Sequence, residues 1–308
     1  MSHMPDALLD LVAAELAEPV DPRVADMAAA IAALYPGAAR AVLFYGSCLR
    51  TSELDGQMLD FYLIVSSYEA AYEKGWLARA NRMVPPNVFP FEHEGLAAKY
   101  AVLSEADFVR ECSVGAKSVS VWARFAQPAR LVWTSGETAT EQAIKAVARA
   151  APTLFQLTLP MLPDGSDPID IWQTGFALTY GAELRAERGG RSSSIVEAWP
   201  ERYRTFTQPT LAAVALEMGV GPNGEVPFIH SPKRMRRWWR QMQRNGKWLS
   251  VLRLAKASFT FTGGADYIAW KINRHAGTDI VLKPWQRRWP LLGAVILLPR
   301  LLKRGAIR

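Results

Sequence analysis

Two short apolar runs decide the fold of this chain: AVLFYGS at residues 41–47 and LDFYLIV at residues 59–65. Both are rich in β-branched or aromatic residues and are bounded by turn-forming residues, a pattern typical of buried β-strands. The first run ends in a Gly-Ser turn, and the second carries one carboxylate, Asp60. The pair therefore predicts a strand, a turn and a second strand that bears an acidic side chain.

Helices and further strands are predicted around these two runs. Residues 7–34 place apolar side chains at helical spacing and are rich in alanine, which favours helix. Further helices are predicted at 68–81 and 104–112, and further strands at 99–103 and 129–132. This mixture predicts an α+β fold whose first domain, residues 1–135, contains a mixed sheet.

The rest of the chain divides into two regions. Residues 136–232 have a helical pattern interrupted by proline and glycine, which indicates a helical second domain, with a winged-helix-like arrangement as one possible form. Residues 233–308 are basic and rich in tryptophan. The two cysteines, Cys48 and Cys112, are too few for a disulfide framework or a cysteine-based zinc site.

Charge is segregated along the chain. Residues 1–232 carry 18 Lys and Arg against 27 Asp and Glu, a net charge of −9. Residues 233–308 carry 18 basic against 2 acidic residues, a net charge of +16. A region this basic attracts a polyanion, and nucleic acid and an anionic bilayer are the two candidates.

The basic region favours the bilayer. Its last apolar run, residues 291–302, spans about 12 residues, whereas a transmembrane helix needs about 20. Tryptophans accompany the charges throughout; they are Trp238, Trp239, Trp248, Trp270, Trp285 and Trp289. Tryptophan, a short apolar run and flanking cations suit a segment that lies in the headgroup zone. We therefore expect residues 233–308 to bind an anionic membrane surface, and nucleic acid is disfavoured.

The Gly-Ser turn and Asp60 have the layout of a nucleotidyltransferase core. A glycine after a buried strand lets the backbone approach a triphosphate closely, and the Ser47 hydroxyl and turn amides can hold a phosphate oxygen. Asp60, which follows a loop of 12 residues, can hold Mg²⁺ bridged to phosphate oxygens. Such cores usually carry a second carboxylate two residues later, where this chain has Tyr62. The general pattern is therefore incomplete.

Taken in order, several segments of the chain resemble the mitochondrial-type (Tam family) phosphatidate cytidylyltransferases, in which the position of Tyr62 is also non-acidic. The matching segments are residues 45–49, Asp55, 59–62, 88–91, 99–104, 123–128, 177–185, 189–190 and 261–271. The resemblance implies transfer of a cytidylyl group from CTP to phosphatidate at a membrane surface, which gives CDP-diacylglycerol and pyrophosphate.

The resemblance also implies a set of site residues. Nucleotide binding falls on Tyr45, Gly46 and Ser47, Mg²⁺ binding on Asp55 and Asp60, and catalysis on Asp60, Lys99, Arg124 and Glu183. Three positions depart from the family pattern. Cys48 replaces a glycine, Gln127 replaces a lysine, which removes a charge that could bind phosphate, and Glu183 replaces an aspartate.

The expected partners are CTP, phosphatidate and an anionic membrane. The expected location is peripheral, on the cytoplasmic face of a bacterial membrane or on the mitochondrial inner membrane. Two other functions share these features. One is a nucleotidyltransferase that acts on RNA or a small molecule, since a basic aromatic region can also stack bases. The other is a catalytically inactive scaffold that binds membranes, which the departures from the motif favour.

Overall fold

The computed structural model describes residues 4–163, 165–182, 191–218, 231–260 and 283–284. Its elements, in chain order, are α1 (Asp6–Leu16), α2 (Pro22–Ala33), β1 (Ala39–Tyr45), α3 (Ser47–Thr51), β2 (Met58–Val65), α4 (Tyr68–Ala71), α5 (Gly75–Met83), β3 (Asn87–His93), β4 (Leu96–Ser104), α6 (Glu105–Glu111), α7 (Trp122–Phe125), β5 (Ala129–Thr134), α8 (Glu137–Val147), α9 (Ala150–Thr158), a 3₁₀ turn (Leu159–Met161), α10 (Pro168–Tyr180), α11 (Arg191–Glu197), α12 (Pro200–Met218) and α13 (Pro232–Thr260).

The five strands form one mixed sheet in the order β3-β4-β2-β1-β5. Strands β2 and β4 are parallel, and the other three neighbouring pairs are antiparallel. The predicted α+β class with a mixed sheet is confirmed. All four predicted strands are present, and each extends at one or both ends beyond its predicted range.

Two local predictions were wrong. The predicted helix over residues 68–81 is two helices, α4 and α5, because Tyr72 is extended and ends the first. Strand β3 was not predicted at all. It contains Pro90, which cannot donate a ladder hydrogen bond, and it lies at the edge of the sheet, where proline is tolerated.

Side-chain alternation gives the sheet two buried faces. On one face, Leu43 and Tyr62 belong to a large core shared with α1 and with α6 to α13. On the other face, Val42 and Phe61 belong to a smaller core shared with α2, α4 and α5. We call these the large-core face and the small-core face. Because each face is covered by helices, the strands read as nearly continuous apolar runs in the sequence.

The basic helix α13 is anchored in the large core. Its Trp239 is 2% exposed, and the indole Nε1–H donates to the Leu157 carbonyl at 2.8 Å. The Trp239 ring lies edge-on to Trp122, with 6.3 Å between ring centroids. In the described residues, no helix combines the length and the apolar character that crossing a membrane requires.

A buried ion pair joins α12 to the N-terminal helix. The Arg202 guanidinium donates to both carboxylate oxygens of Glu15, at 2.5 and 2.9 Å, and to the Ala126 carbonyl at 2.9 Å. The same guanidinium lies 4.2 Å from the centre of the Phe206 ring. Burial by itself would lower the pKa of the Arg202 guanidinium. The charge of Glu15 and its hydrogen bonds outweigh burial, so the pKa of Arg202 is raised. This pair fixes α1 and α12 against the segment that leads into β5.

Removing the charge of Glu15 is expected to destabilise the fold. In Glu15→Gln the Arg202 charge stays buried without its counter-ion, and such losses cost about 3 kcal/mol. The free energy of unfolding from urea titration measures the effect. Glu141→Gln is the matched control, because Glu141 pairs with Lys145 on the exposed side of α8, where the expected loss is about 0.5 kcal/mol. Equal losses in the two variants would contradict this account.

Candidate functional site

Three candidate residues lie in one row across neighbouring strands. Tyr45 on β1 is opposite Asp60 on β2, and Asp60 is beside Lys99 on β4. Asp60 and Tyr62 share a face of β2 because they are two residues apart. The Tyr45 and Tyr62 rings are in contact on that face, with centroids 5.3 Å apart. The row therefore lies on the large-core face, where β1 ends and β2 begins.

Asp60 and Lys99 form an ion pair within this row. The Lys99 Nζ is 2.6 Å from Asp60 Oδ1, and the two side chains are 27% and 19% exposed. The pair is thus accessible from outside although both residues are on interior strands of the sheet. An anion that enters here would meet an ammonium group, and a cation would meet a carboxylate.

The turn after β1 requires glycine for two reasons. Gly46 has φ of 99° and ψ of −156°, which side chains of L-residues rarely permit. A Cβ at this position would also lie 3.1 Å from Asp60 Oδ2. The chain then enters the short helix α3 at Ser47, which is exposed. Close approach of the backbone to the Asp60 carboxylate is therefore built into the turn, whereas the sequence analysis expected the glycine to serve approach to a triphosphate.

Arg124 lies on α7, which covers the tyrosine pair on the large-core face. The ring of the next residue, Phe125, is 6.1 Å from Tyr45 and 5.2 Å from Tyr62, centre to centre. The Arg124 Nη1 donates to the carbonyl of Ser120 in the loop before α7. The structure thus brings the helix that carries Arg124 against Tyr45, one member of the row.

Gln127 and Cys48, two departures from the family pattern, both have structural partners. The Gln127 Nε2 donates to the Ala123 carbonyl at 2.7 Å and closes α7. Cys48 is 4% exposed and packs in the small core, with its Sγ 3.7 Å from the Met58 carbonyl. Burial, and then the charge of Asp60, raises the pKa of its thiol.

Asp55 lies apart from the row. Its side chain is 83% exposed and pairs with Arg23, whose Nη1 is 3.0 Å from Asp55 Oδ1. Arg23 is on α2, which packs on the small-core face.

Glu183, the remaining candidate, lies outside the described residues. No group of three or more His, Cys, Asp or Glu side chains in the described ranges is arranged to hold a metal ion. Among the candidate carboxylates that the structure describes, Asp60 is the one in the row.

Helix α13 presents a continuous basic surface. Seven of its cations are exposed and form what we call the basic face: Lys233, Arg234, Arg236, Arg237, Arg240, Arg244 and Lys247. Arg237, Arg240, Gln241 and Arg244 line a groove of about 660 Å³. The helix contains no Asp or Glu. Trp248 and Leu252 add apolar surface to it and are 71% and 50% exposed.

Two further cations of α13 point inward instead. Arg253 donates from Nε to the Pro85 carbonyl at 2.8 Å, from Nη1 to Ser120 Oγ at 2.7 Å and from Nη2 to Ser118 Oγ at 3.1 Å. Lys256 Nζ donates to the carbonyls of Val84 and Pro86. Burial, and then the charge of Arg253, lowers the pKa of Lys256 to about 7.

Arg253 and Lys256 belong to residues 233–308, whose charges are expected from the sequence to bind the membrane. The sequence spacing does indicate that Arg253 faces inward. Arg253 lies 18 residues after Met235, which is five helical turns, so the two residues are on the same face of the helix. Met235 and Trp239 are both 2% exposed. The buried face of α13 thus continues to Arg253, while the basic face lies on the opposite side of the helix.

A scan against protein-family models finds none that matches this chain, and a search of curated proteins finds none with significant similarity. The resemblance to the phosphatidate cytidylyltransferases therefore remains a prediction.

The close approach of Gly46 to Asp60 predicts that Gly46→Ala and Asp60→Ala are not additive in their effects on the free energy of unfolding. Gly46→Ala places a methyl group against Asp60 Oδ2, and such overpacking costs about 1–3 kcal/mol beyond the backbone strain. In an Asp60→Ala background the close oxygen contact is gone, an ordinary contact with the Cβ at 3.5 Å is left and the backbone strain remains, so Gly46→Ala should cost less there. A double-mutant cycle of unfolding free energies measures the difference.

Gly37 provides the control for this cycle. It also has a positive φ, 73°, but an added Cβ would have no atom within 4 Å. Gly37→Ala should therefore cost the same in the parent protein and in the Asp60→Ala background. If the Gly46 cycle were equally additive, Asp60 would not lie against the turn.

Proposed function

We propose that this chain is a nucleotidyltransferase that moves a cytidylyl group from CTP to phosphatidate, giving CDP-diacylglycerol and pyrophosphate at a membrane surface. The observation that carries the proposal is the contact of the Gly46 turn with Asp60, together with the Asp60–Lys99 ion pair. A backbone turn open to phosphate, a carboxylate and an ammonium group within one row are the parts that such a transfer needs. The choice of CTP and phosphatidate rests on the sequence resemblance.

In the proposed reaction, a phosphate oxygen of phosphatidate attacks the α-phosphorus of CTP. The new P–O bond forms as the bond from the α-phosphorus to the bridging oxygen of pyrophosphate breaks, and that oxygen keeps the electron pair. A phosphate monoester has its second pKa near about 6, so the attacking oxygen is already anionic near neutral pH. The protein therefore needs no strong general base, and its task is to hold two anions together.

The chain's own residues divide this task. The turn at Gly46 and Ser47 would receive the triphosphate, since it offers backbone amides and a hydroxyl at an exposed position. Lys99, on strand β4, would offset negative charge on the phosphates. Arg124, on the covering helix, offers a planar guanidinium that suits the second phosphate group.

Asp60 is the residue that would hold Mg²⁺. Mg²⁺ in nucleotide sites is usually bound by one or two carboxylates together with phosphate oxygens, so a single carboxylate in the row is compatible with it. When bound, the ion would offset charge that develops on pyrophosphate. Asp55 could join Asp60 only by leaving its pair with Arg23, which costs little because the pair is exposed and screened by solvent.

The basic face of α13 supports an anionic bilayer as the site of the reaction. Exposed Trp248 and Leu252 accompany its cations, and this combination suits the headgroup zone, where tryptophan and aliphatic side chains enter the interface. A peripheral location, on the cytoplasmic face of a bacterial membrane or on the mitochondrial inner membrane, is part of the proposal.

One observation favours a second candidate, a membrane-binding scaffold without catalysis. The carboxylate of the row is already neutralised by Lys99 at 2.6 Å, and no metal-binding cluster of acidic side chains accompanies it among the described residues. Such a scaffold would bind anionic vesicles but would not bind CTP in a metal-dependent way. Calorimetric titration of CTP with and without Mg²⁺ separates the two.

Asp60→Asn is expected to lower turnover by at least about 100-fold while the protein stays folded, because it removes the metal-binding charge without changing shape. The measurement is pyrophosphate release in a panel that crosses four nucleoside triphosphates with vesicles with and without phosphatidate. CTP with phosphatidate should be the productive combination.

Two matched variants accompany this test. Asp26→Asn changes an exposed aspartate of α2 and should leave turnover unchanged. Asp55→Asn tests whether Asp55, the second predicted Mg²⁺ ligand, contributes to turnover. Full turnover in Asp60→Asn would remove the metal site from the proposal, and equal use of ATP would favour transfer to a small molecule or RNA.

The basic face should dominate binding to anionic vesicles. Neutralising three of its cations, in a variant with Arg237→Gln, Arg240→Gln and Arg244→Gln, removes about 1 kcal/mol per charge before salt screening, or up to about 100-fold in binding. Co-sedimentation with vesicles that contain phosphatidate or only neutral lipid measures the loss.

The control variant loses the same charge from other surfaces, through Lys117→Gln, Lys145→Gln and Arg204→Gln, all at exposed positions. It should sediment nearly as the parent protein does. Equal losses in both variants would show that net charge, rather than α13, governs the binding.

A further inference from the structure

Ser120 receives hydrogen bonds from two arginines on different elements. Arg253 of α13 donates from Nη1 to the Ser120 hydroxyl at 2.7 Å, and Arg124 of α7 donates from Nη1 to the Ser120 carbonyl. Ser120 itself is 4% exposed, so both bonds form away from bulk water. The basic helix and the guanidinium of the candidate site therefore meet at one residue.

We propose that Arg253 is a positioning residue for phosphate binding, which holds Arg124 in place through Ser120. This inference rests on the proposed function, because it takes Arg124 as a phosphate-binding group. Arg253 touches neither reactant in this account. It fixes the loop whose carbonyl orients the Arg124 side chain.

The bonding pattern of Arg253 suits this role. Its guanidinium bonds three separate groups, Pro85 O, Ser120 Oγ and Ser118 Oγ, and so ties the loop before α7 to the loop before β3. A planar fork with donors in fixed directions sets the distance and the angle between these loops, which a lysine ammonium cannot do. Lys256 bonds the same loop before β3, at Pro86 O, one helical turn further on.

Helix α13 also packs against the end of α10, the helix that precedes the candidate residue Glu183 in the sequence. An added Cβ at Gly246 would lie 2.1 Å from the Ala182 carbonyl, so the two backbones pack directly against each other. Gln243 Nε2 donates to the Leu178 carbonyl at 3.3 Å. Ala182 immediately precedes Glu183 in the sequence. One helix thus contacts both the loop before α7 and the described chain at the end of α10.

The test compares Arg253→Met with Arg124→Ala and with the double variant. Arg253→Met is expected to weaken pyrophosphate binding, measured by calorimetry, by about 10-fold or more, which is the loss of one to two charge-assisted contacts. Because Arg253 acts on phosphate binding only through Arg124 in this proposal, the double variant should bind no more than about threefold more weakly than Arg124→Ala alone. Full additivity of the two losses would overturn the inference.

Three further variants separate positioning from stability. Ser118→Ala removes one Arg253 bond that does not lead to Arg124 and should stay within about twofold of the parent. Ser120→Ala removes the hydroxyl that Arg253 bonds but keeps the carbonyl that Arg124 bonds, and it should weaken pyrophosphate binding several-fold even if Arg253→Met fails to fold. Arg253→Lys should restore part of the binding. Equal effects of Ser118→Ala and Ser120→Ala would overturn the inference.

A chemical readout keeps this test independent of the proposed function. Modification of Arg124 by phenylglyoxal, followed by mass spectrometry, should become several-fold faster in Arg253→Met and remain unchanged in Ser118→Ala. If the parent protein does not bind pyrophosphate, the proposed function fails, whereas the labelling rates still decide whether Arg253 holds Arg124. Unchanged labelling of Arg124 in Arg253→Met would exclude the positioning role.

Discussion

The close approach of one backbone turn to one carboxylate organises the candidate site. Asp60 lies on the second strand next to Gly46, and its Oδ2 atom would be only 3.1 Å from a Cβ at that turn, which is closer than an ordinary contact. Its other oxygen meets Lys99 from the parallel neighbour strand. This arrangement needs both kinds of strand pairing, because the antiparallel β1–β2 register brings the turn to Asp60 and the parallel β2–β4 register brings Lys99. A shift of either register by one residue would move its contribution to the opposite face.

Much of this arrangement could be predicted from local sequence pattern, and the reasons are physical. A run such as residues 59–65 is apolar because both faces of the sheet are covered, and Asp60 is conspicuous within it. Strand β3 escaped prediction since Pro90 lowers the strand signal at a position that only an edge tolerates. The split between α4 and α5 also escaped, because Tyr72 is aromatic and gives no sign of a break. The placement of Asp55 beside Arg23 joins residues 32 positions apart, which local patterns do not encode.

The basic region shows where composition alone misleads. Nine cations lie on residues 232–260 without one acidic residue, and sequence counting treats them as equivalent. The structure separates them by helical phase, with seven exposed and Arg253 and Lys256 bonded to backbone carbonyls and serine hydroxyls. Burial makes these two different in kind, and the lowered pKa of Lys256 reflects that cost. A periodicity count that included charged residues would have placed Arg253 on the buried face.

Helix α13 therefore has two sides that differ in their surroundings. Its outer side carries the basic face, and its inner side carries Trp239, Gly246 and Arg253, which bond or pack against the core. Suppose that a bilayer and an anionic ligand both bind more tightly when α13 is packed on the core. Bilayer binding would then strengthen ligand binding, and ligand binding would strengthen bilayer binding by the same factor, because coupling between two sites is reciprocal. The magnitude is limited by the difference in affinity of each ligand for docked and undocked α13. The inner contacts of α13, rather than its net charge, would then set how strongly a membrane surface influences the residues proposed to bind phosphate.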